Sequence, residues 1–215
     1  MSTVALLLAI AVSGLQDKPQ EIAKKDLPKA AECVVCSAMG GAHGEEKPAA
    51  GMKYKGKSFF FCSAKEVPKF KENPDMYLPL DLPMELPSLD LKDQTGKLWD
   101  AEAMKGKVVL LDYWATWCKP CLALKPKLDK MRATYKEKGF EMLSLSIDEK
   151  RDTLDKFLKK TTFENPVAWD DKQTWAKLKV IAIPALFLVK DGKVIAIFKG
   201  EPSAKAIEEA IKSAL

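Results

Sequence analysis

An apolar run that leads into a pair of cysteines constrains this chain more than any other feature. Val108-Val109-Leu110-Leu111-Asp112-Tyr113-Trp114 is nearly uninterrupted, as expected of a strand buried on both faces, and Trp117-Cys118-Lys119-Pro120-Cys121 follows it. From Lys119 onward, Leu122, Leu124, Leu128 and Met131 recur at helical spacing. The two thiols therefore fall where a strand turns into a helix. A helix N-terminus presents unpaired N–H groups and a partial positive charge, so it stabilises a thiolate placed there. The thiolate is the reactive form of cysteine, and two cysteines at this spacing can close into a disulfide and reopen. A permanent disulfide, or half of a four-cysteine zinc site shared with Cys33 and Cys36, has the same spacing. Neither requires tryptophans before the first thiol.

Strand and helix patterns alternate around this point. A hairpin is expected over Leu89–Trp99, turning at Gln94-Thr95-Gly96-Lys97. A helix is expected from Lys119 to about Lys138, kinked at Pro126, then a strand over Phe140–Ile147. Helical spacing returns over Thr153–Lys159, and a short helix is expected at Thr174–Leu178. Asp191-Gly192 reads as the turn of a hairpin between Ala185–Val189 and Lys193–Phe198. Ser203 can cap a last helix carrying Ile207, Ile211 and Leu215.

The segment Leu111-Asp112-Tyr113-Trp114-Ala115-Thr116-Trp117-Cys118-Lys119-Pro120-Cys121, with Ile183-Pro184-Ala185-Leu186-Phe187-Leu188-Val189 later in the chain, resembles the thioredoxin superfamily. The Trp-Ala-Thr-Trp-Cys wording is similar to its extracytoplasmic TlpA/ResA-like branch. The resemblance covers roughly Ser88 to Leu215. It implies an α/β thioredoxin-like fold, a central mixed sheet flanked by helices. It also implies that Pro184 is the cis-proline facing the disulfide, and that Asp112 is the buried acid of thioredoxin.

On this reading the chain is a thiol–disulfide oxidoreductase whose redox domain needs no cofactor. Cys118, at the helix start and the more exposed of the two, is the nucleophile. Cys121, one turn in, resolves the mixed disulfide. Asp112, on a buried strand, has a raised pKa and takes a proton from Cys121. Trp117, Ile183 and Pro184 contact the substrate, Pro184 leaving backbone groups free for a substrate strand. One position departs from the branch. Its members commonly carry an acid three residues after the second cysteine, where this chain has Leu124. A cytochrome-maturation role therefore does not carry over. A peroxide-reducing reading lacks the usual Pro-x-x-x-Thr-x-x-Cys context before Cys118.

A second cysteine group lies upstream. Cys33-Val34-Val35-Cys36, the Gly56-Lys57-Ser58-Phe59-Phe60-Phe61-Cys62-Ser63 stretch and Asn73-Pro74-Asp75-Met76-Tyr77 together resemble YHS/TRASH-like metal-binding modules. That resemblance implies Zn or Cu held by Cys33, Cys36 and Cys62, with Glu66 or His43 as a fourth ligand. A disulfide within this group, or a metal-free module, is the other reading. Metal binding or delivery, with the thioredoxin-like part as scaffold or thiol keeper, is the rival function.

The resulting organisation is a signal peptide over 1–14, a linker over 15–29, a cysteine module over 30–80, a Pro-rich linker over 81–87 and a thioredoxin-like domain over 88–215. Val4–Val12 has the length of a signal-peptide core and is too short to span a bilayer, though no Lys or Arg precedes it. Export to the periplasm or another extracytoplasmic space is expected, with an N-terminal membrane tether as the alternative. Protein thiols and disulfides are the expected partners, with a metalloprotein among them, together with an upstream electron donor or acceptor in the membrane. The net charge of +5 is modest and the lysines are interleaved with acids, as in Lys136-Glu137-Lys138, so the surface reads as solvated and no nucleic-acid partner is expected. His43 is the one histidine in the chain, which excludes a Ser-His-Asp triad around Cys118 and any multi-histidine metal site.

Overall fold

The computed structural model describes residues 18–41 and 44–215. The expected signal peptide and His43 lie outside the described residues. Two compact units are present, one of described residues 18–35 and 44–77, the other of 36–41 and 78–215.

The first unit begins with β1 (Gln20–Glu21), and the short helix α1 (Val34–Ala38) that follows in the chain belongs to it through Val34 and Val35. The strand β2 (Ala50–Tyr54) pairs antiparallel with β1 and forms a hairpin with β3 (Lys57–Phe61), after which comes α2 (Glu66–Glu72). Lys55 and Gly56 both take positive φ, 48° and 74°, as a two-residue hairpin turn of right-handed twist demands. Period-two alternation buries Met52, Tyr54 and Phe61, and the last two meet Phe70 of α2. The rings of Tyr54, Phe59, Phe61 and Tyr77 all pack on Phe70 at centroid distances of 5.3–6.2 Å. The stretch expected as a linker over 15–29 thus contributes an edge strand. A two-residue strand has too little pattern to show itself in a sequence.

The second unit is built on a six-stranded mixed sheet. Its elements are β4 (Met84–Glu85), the two-stranded hairpin β5 (Leu91–Lys92) and β6 (Leu98–Trp99), α3 (Ala101–Met104), β7 (Val108–Trp114), α4 (Lys119–Tyr135), β8 (Phe140–Ser146), α5 (Arg151–Leu158), β9 (Val167–Trp169), α6 (Thr174–Lys177), β10 (Ala185–Lys190), β11 (Lys193–Lys199) and α7 (Ala204–Ala214). The sheet order is β4-β11-β10-β7-β8-β9. Strands β7, β8 and β9 run parallel, and β10, β11 and β4 are added antiparallel. This is the expected α/β architecture. The Pro-rich stretch over 81–87 is not only a linker, because Met84 and Glu85 pair with Val194 and Lys193 at the sheet edge. Edge strands are where flanking prolines such as Pro83 and Pro87 are tolerated.

β7 is buried along its whole length, and alternation divides its side chains between two layers. Val109, Leu111 and Tyr113 pack with Trp99, Met104, Leu178 and Val180 on one face. Val108 and Leu110 pack with Leu124, Leu128 and Met131 of α4 and Ile207 and Ile211 of α7 on the other. Each such fully buried aliphatic side chain contributes about 1.5–3 kcal/mol. Ser203 sits at the N-cap of α7, but its hydroxyl makes no capping bond; its carbonyl accepts from Ile207 N at 3.2 Å.

Candidate active site

Cys118 is the N-cap of α4, with Pro120 in the first turn. Its Sγ accepts from Cys121 N at 3.2 Å, and its carbonyl accepts from Leu122 N at 3.1 Å. Cys118 and Cys121 are joined in a disulfide with Cα atoms 5.3 Å apart. The sulfurs therefore lie at the positive end of a 17-residue helix. Bonded to each other, they offer no thiolate to a metal, so the shared four-cysteine zinc arrangement does not describe this state. The expected difference in exposure is absent: Cys118 is 4% and Cys121 3% exposed. The bond draws the Cys118 sulfur onto the first helical turn, and both side chains pack with Trp114, Ala115 and Ile183.

The loop before Cys118 is held by a residue that sequence reasoning missed. Asp148, buried at the end of β8, accepts from Thr116 N at 3.1 Å and from Thr116 Oγ1 at 2.8 Å. Ser146 Oγ donates to the same carboxylate at 2.7 Å, and Trp169 Nε1 donates to the Asp148 carbonyl at 2.7 Å. Ile147 N donates to the Trp114 carbonyl at 2.9 Å, so the end of β8 and the cysteine loop are fastened together at several points.

Asp112 is buried in the layer that faces α4. On β7 it falls between Leu110, which packs with Leu124 and Leu128, and Trp114, which packs with both cysteines. Ser144 Oγ, on the neighbouring strand, donates to Asp112 Oδ2 at 3.2 Å. Lys125 Nζ donates to the same Ser144 hydroxyl at 3.1 Å. Burial pushes the Asp112 carboxyl up from its ordinary value, against the opposing pull of the Lys125 charge and the Ser144 hydrogen bond. Burial pushes the Lys125 ammonium down, and the charges of Asp112 and Asp129 oppose that. Lys125, like Asp148, was not among the residues singled out from the sequence.

The Ile183–Pro184 peptide bond is cis. Ile183 packs against the cluster that holds both cysteines. Pro184 lines a cleft of about 240 Å³ with Pro120, Ala123 and Leu124 of the first turns of α4. The Pro184 carbonyl accepts from Gly200 N at 3.0 Å, so this backbone group, expected to be left for a substrate strand, is already engaged within the sheet. Trp117 is 67% exposed beside the buried Cys118. Together with Ile147, Trp169, Trp175 and Ile183 it lines a larger cleft of about 880 Å³. Trp117 and Ile183 are thus brought to one depression, and Pro184 to a second across the helix start.

Upstream, the Sγ atoms of Cys33, Cys36 and Cys62 lie within 4.8 Å of one another. Four sulfurs on one Zn²⁺ at about 2.3 Å stand roughly 4 Å apart, so three at this spacing fit a thiolate metal site after a small closure. Glu66 does not join them. The cluster consists of the three sulfurs, and the Glu66 carboxylate pairs with the Lys69 ammonium at 3.1 Å, one turn along α2. Among the described residues no helix is long and apolar enough to cross a membrane.

Residues 84–197, which include Asp112, Cys118, Cys121 and Pro184, match the AhpC/TSA family. The chain is 38% identical over 135 residues to a thiol-disulfide oxidoreductase ResA of Bacillus thuringiensis subsp. konkukian, covering 62% of this chain and 78% of the relative. A crystal structure of a Chlorobium tepidum protein, provisionally described as a thiol:disulfide interchange protein DsbE, superposes with a TM-score of 0.59 at 35% identity, over 63% of this chain and 99% of that one. The thioredoxin domain of a Bacteroides vulgatus thiol-disulfide oxidoreductase shares the fold with a TM-score of 0.54 at 24% identity, over 62% and 99% of the two chains.

Proposed function

The chain belongs to the AhpC/TSA family and is a thiol–disulfide oxidoreductase of thioredoxin-like fold, and from that premise we propose that it acts outside the cytoplasm on protein disulfides through Cys118 and Cys121. The observation that carries this reading is the Cys118–Cys121 disulfide at the N-terminus of α4, above a buried carboxylate and beside Ile183. In the reductive direction the Cys118 thiolate attacks a substrate disulfide. One S–S bond forms, one breaks, and the first substrate sulfur leaves as a thiolate. Cys121 then gives its proton to the Asp112 carboxylate, and its sulfur attacks Cys118 Sγ. The second substrate sulfur is released, the Cys118–Cys121 bond closes, and two electrons have passed to the substrate. The oxidative direction is the reverse, and a membrane-bound donor or acceptor resets the pair. Substrate approaches over Trp117 and Ile183.

Titration against glutathione buffers of stepped potential tests the redox role. A reversible two-electron transition lost in both Cys118→Ser and Cys121→Ser is expected. A disulfide that never reduces across the range would make it a structural staple and sink the proposal. A midpoint near that of thioredoxin, about −270 mV, would mark a reductant, and one near that of DsbA, about −120 mV, an oxidant. Export is supported by the apolar run Val4–Val12 and is read out by fusion to a reporter active only outside the cytoplasm. An inactive, cell-retained fusion would refute it.

A second reading is supported by the clustered sulfurs of Cys33, Cys36 and Cys62. We propose that this YHS-like segment holds a thiophilic ion, Zn²⁺ or Cu(I). Thiolates of this kind supply soft, anionic ligands suited to both.

A further inference from the structure

We propose that Lys125 is a positioning residue for the resolving step, its buried ammonium acting through Ser144 as the counter-charge of the Asp112 carboxylate beneath the first turns of α4. The inference rests on the reading of Asp112 as the group that takes the Cys121 proton.

Lys125 is the one buried cation among the described residues. It lies four residues beyond Cys121, so the two side chains emerge from one face of α4, a single turn apart. That face looks onto the β7 layer that holds Leu110, Asp112 and Trp114. Lys125 Nζ reaches Ser144 Oγ at 3.1 Å, and Ser144 Oγ reaches Asp112 Oδ2 at 3.2 Å. The rest of the ammonium is enclosed by aromatic faces, with Phe163 at 3.9 Å and Trp114 at 5.7 Å from Nζ to the ring centroids. The other charge felt by this pair is Asp129 on α4, itself flanked by Glu164 and Arg132.

Burying a lysine here is costly, and a buried ion pair is weak evidence of stabilisation, because well-packed apolar side chains often serve as well. Its chemical effect is clearer. Burial raises the Asp112 pKa and so favours its protonated form, and a carboxylic acid cannot accept the Cys121 proton. A cation joined to it through one hydroxyl favours the carboxylate. The step is Cys121–SH plus Asp112–COO⁻ giving Cys121–S⁻ plus Asp112–COOH. The new thiolate then displaces the substrate thiolate from Cys118. The acid missing at Leu124 is thus answered one residue later by a base-positioning cation rather than by a second carboxylate.

The test uses the reduced full-length chain carrying Cys33→Ser/Cys36→Ser/Cys62→Ser, which leaves Cys118 and Cys121 as its two thiols, and 5,5′-dithiobis(2-nitrobenzoate). Attack by Cys118 releases one coloured thiolate, and closure by Cys121 releases the second, so the two rates are read separately across a pH series. In Lys125→Met the acid limb of the second release is expected to move to higher pH, slowing closure along that limb about tenfold for each unit of displacement, with the first release within about twofold of the parent. Asp112→Asn is expected to slow closure and to remove that limb, and Lys125→Met added to it to do nothing more. If Asp112→Asn slows closure but Lys125→Met and Ser144→Ala leave its pH profile unchanged, the inference falls and Asp112 stands as the base. If Asp112→Asn closes at the parental rate, the reading of Asp112 falls and takes the inference with it. Ser144→Ala, which removes only the bridging hydroxyl, keeps the question decidable should Lys125→Met fail to fold.

Discussion

A single carboxylate decides how firmly the loop before Cys118 is held. Asp148 collects two hydrogen bonds from Thr116 and one from Ser146 while buried at the end of β8. Asp148→Ala would leave the Thr116 amide and hydroxyl without their acceptor, at a cost of about 1–3 kcal/mol. We expect a lower urea midpoint and a slower first attack by Cys118, with Asp148→Asn recovering part of both. Unchanged stability in the alanine variant would show that water replaces the carboxylate. Residues of this kind differ in how visible they are in a sequence. Asp112 stands out because it is one acid in an otherwise apolar strand. Asp148 does not, because Ile147-Asp148-Glu149-Lys150 reads as the polar end of a strand. Lys125 is hidden for another reason. Lysine recurs throughout the chain, Lys127 and Lys130 among them, and only its position between Leu124 and Leu128 on the apolar face of α4 marks it out.

Elements with a strong period were legible, as were the β5–β6 hairpin from its turn and the short helix α6, but isolated strands of two or three residues were not. β7, α4, β8, β10, β11 and α7 carry continuous or periodic apolar patterns, and the structure places them within a few residues of expectation. The strands β1, β4 and β9 have two or three residues each and owe their existence to a neighbouring edge rather than to their own pattern. The same division governs energetics. Leu128 is fully buried in the layer of Leu110, Leu124, Phe140 and Ile211, a separate cluster from the one around the disulfide. Leu128→Ala should therefore cost about 2–5 kcal/mol, depending on how far the layer relaxes into the cavity. The midpoint potential of Cys118 and Cys121 should stay at the parental value, because the charged groups and hydrogen bonds around the sulfurs are untouched. Urea unfolding and a glutathione titration of the same variant separate the two effects. A displaced potential would mean that packing under the middle of α4 is transmitted to its N-terminus.

At the scale of the whole molecule, one chain carries two cysteine groups of different character. Cys118 and Cys121 are already joined, and their setting of helix start, buried acid and counter-cation suits the exchange of electrons. Cys33 and Cys36 come from the start of a short helix and Cys62 from just past a hairpin, and among the described residues up to Tyr77 no carboxylate or lysine is buried. Spacing alone could not separate the two, since Cys33-Val34-Val35-Cys36 and Cys118-Lys119-Pro120-Cys121 have the same form. What separates them is the third sulfur, which only folding brings close. If these three sulfurs ligate a metal, binding to the folded state alone adds RT ln(1 + [M]/Kd), about 2.7 kcal/mol at a free metal concentration a hundredfold above Kd. Reduced protein titrated anaerobically with Zn²⁺, and separately with Cu(I), should melt at a higher temperature. The increase should vanish in the Cys33→Ser/Cys36→Ser/Cys62→Ser variant and persist in Cys118→Ser/Cys121→Ser. Metal retained after gel filtration should fall in the same order. Retention governed instead by Cys118 and Cys121 would reverse the assignment, and no stabilisation by either ion would leave the upstream sulfurs a packing feature of the hairpin.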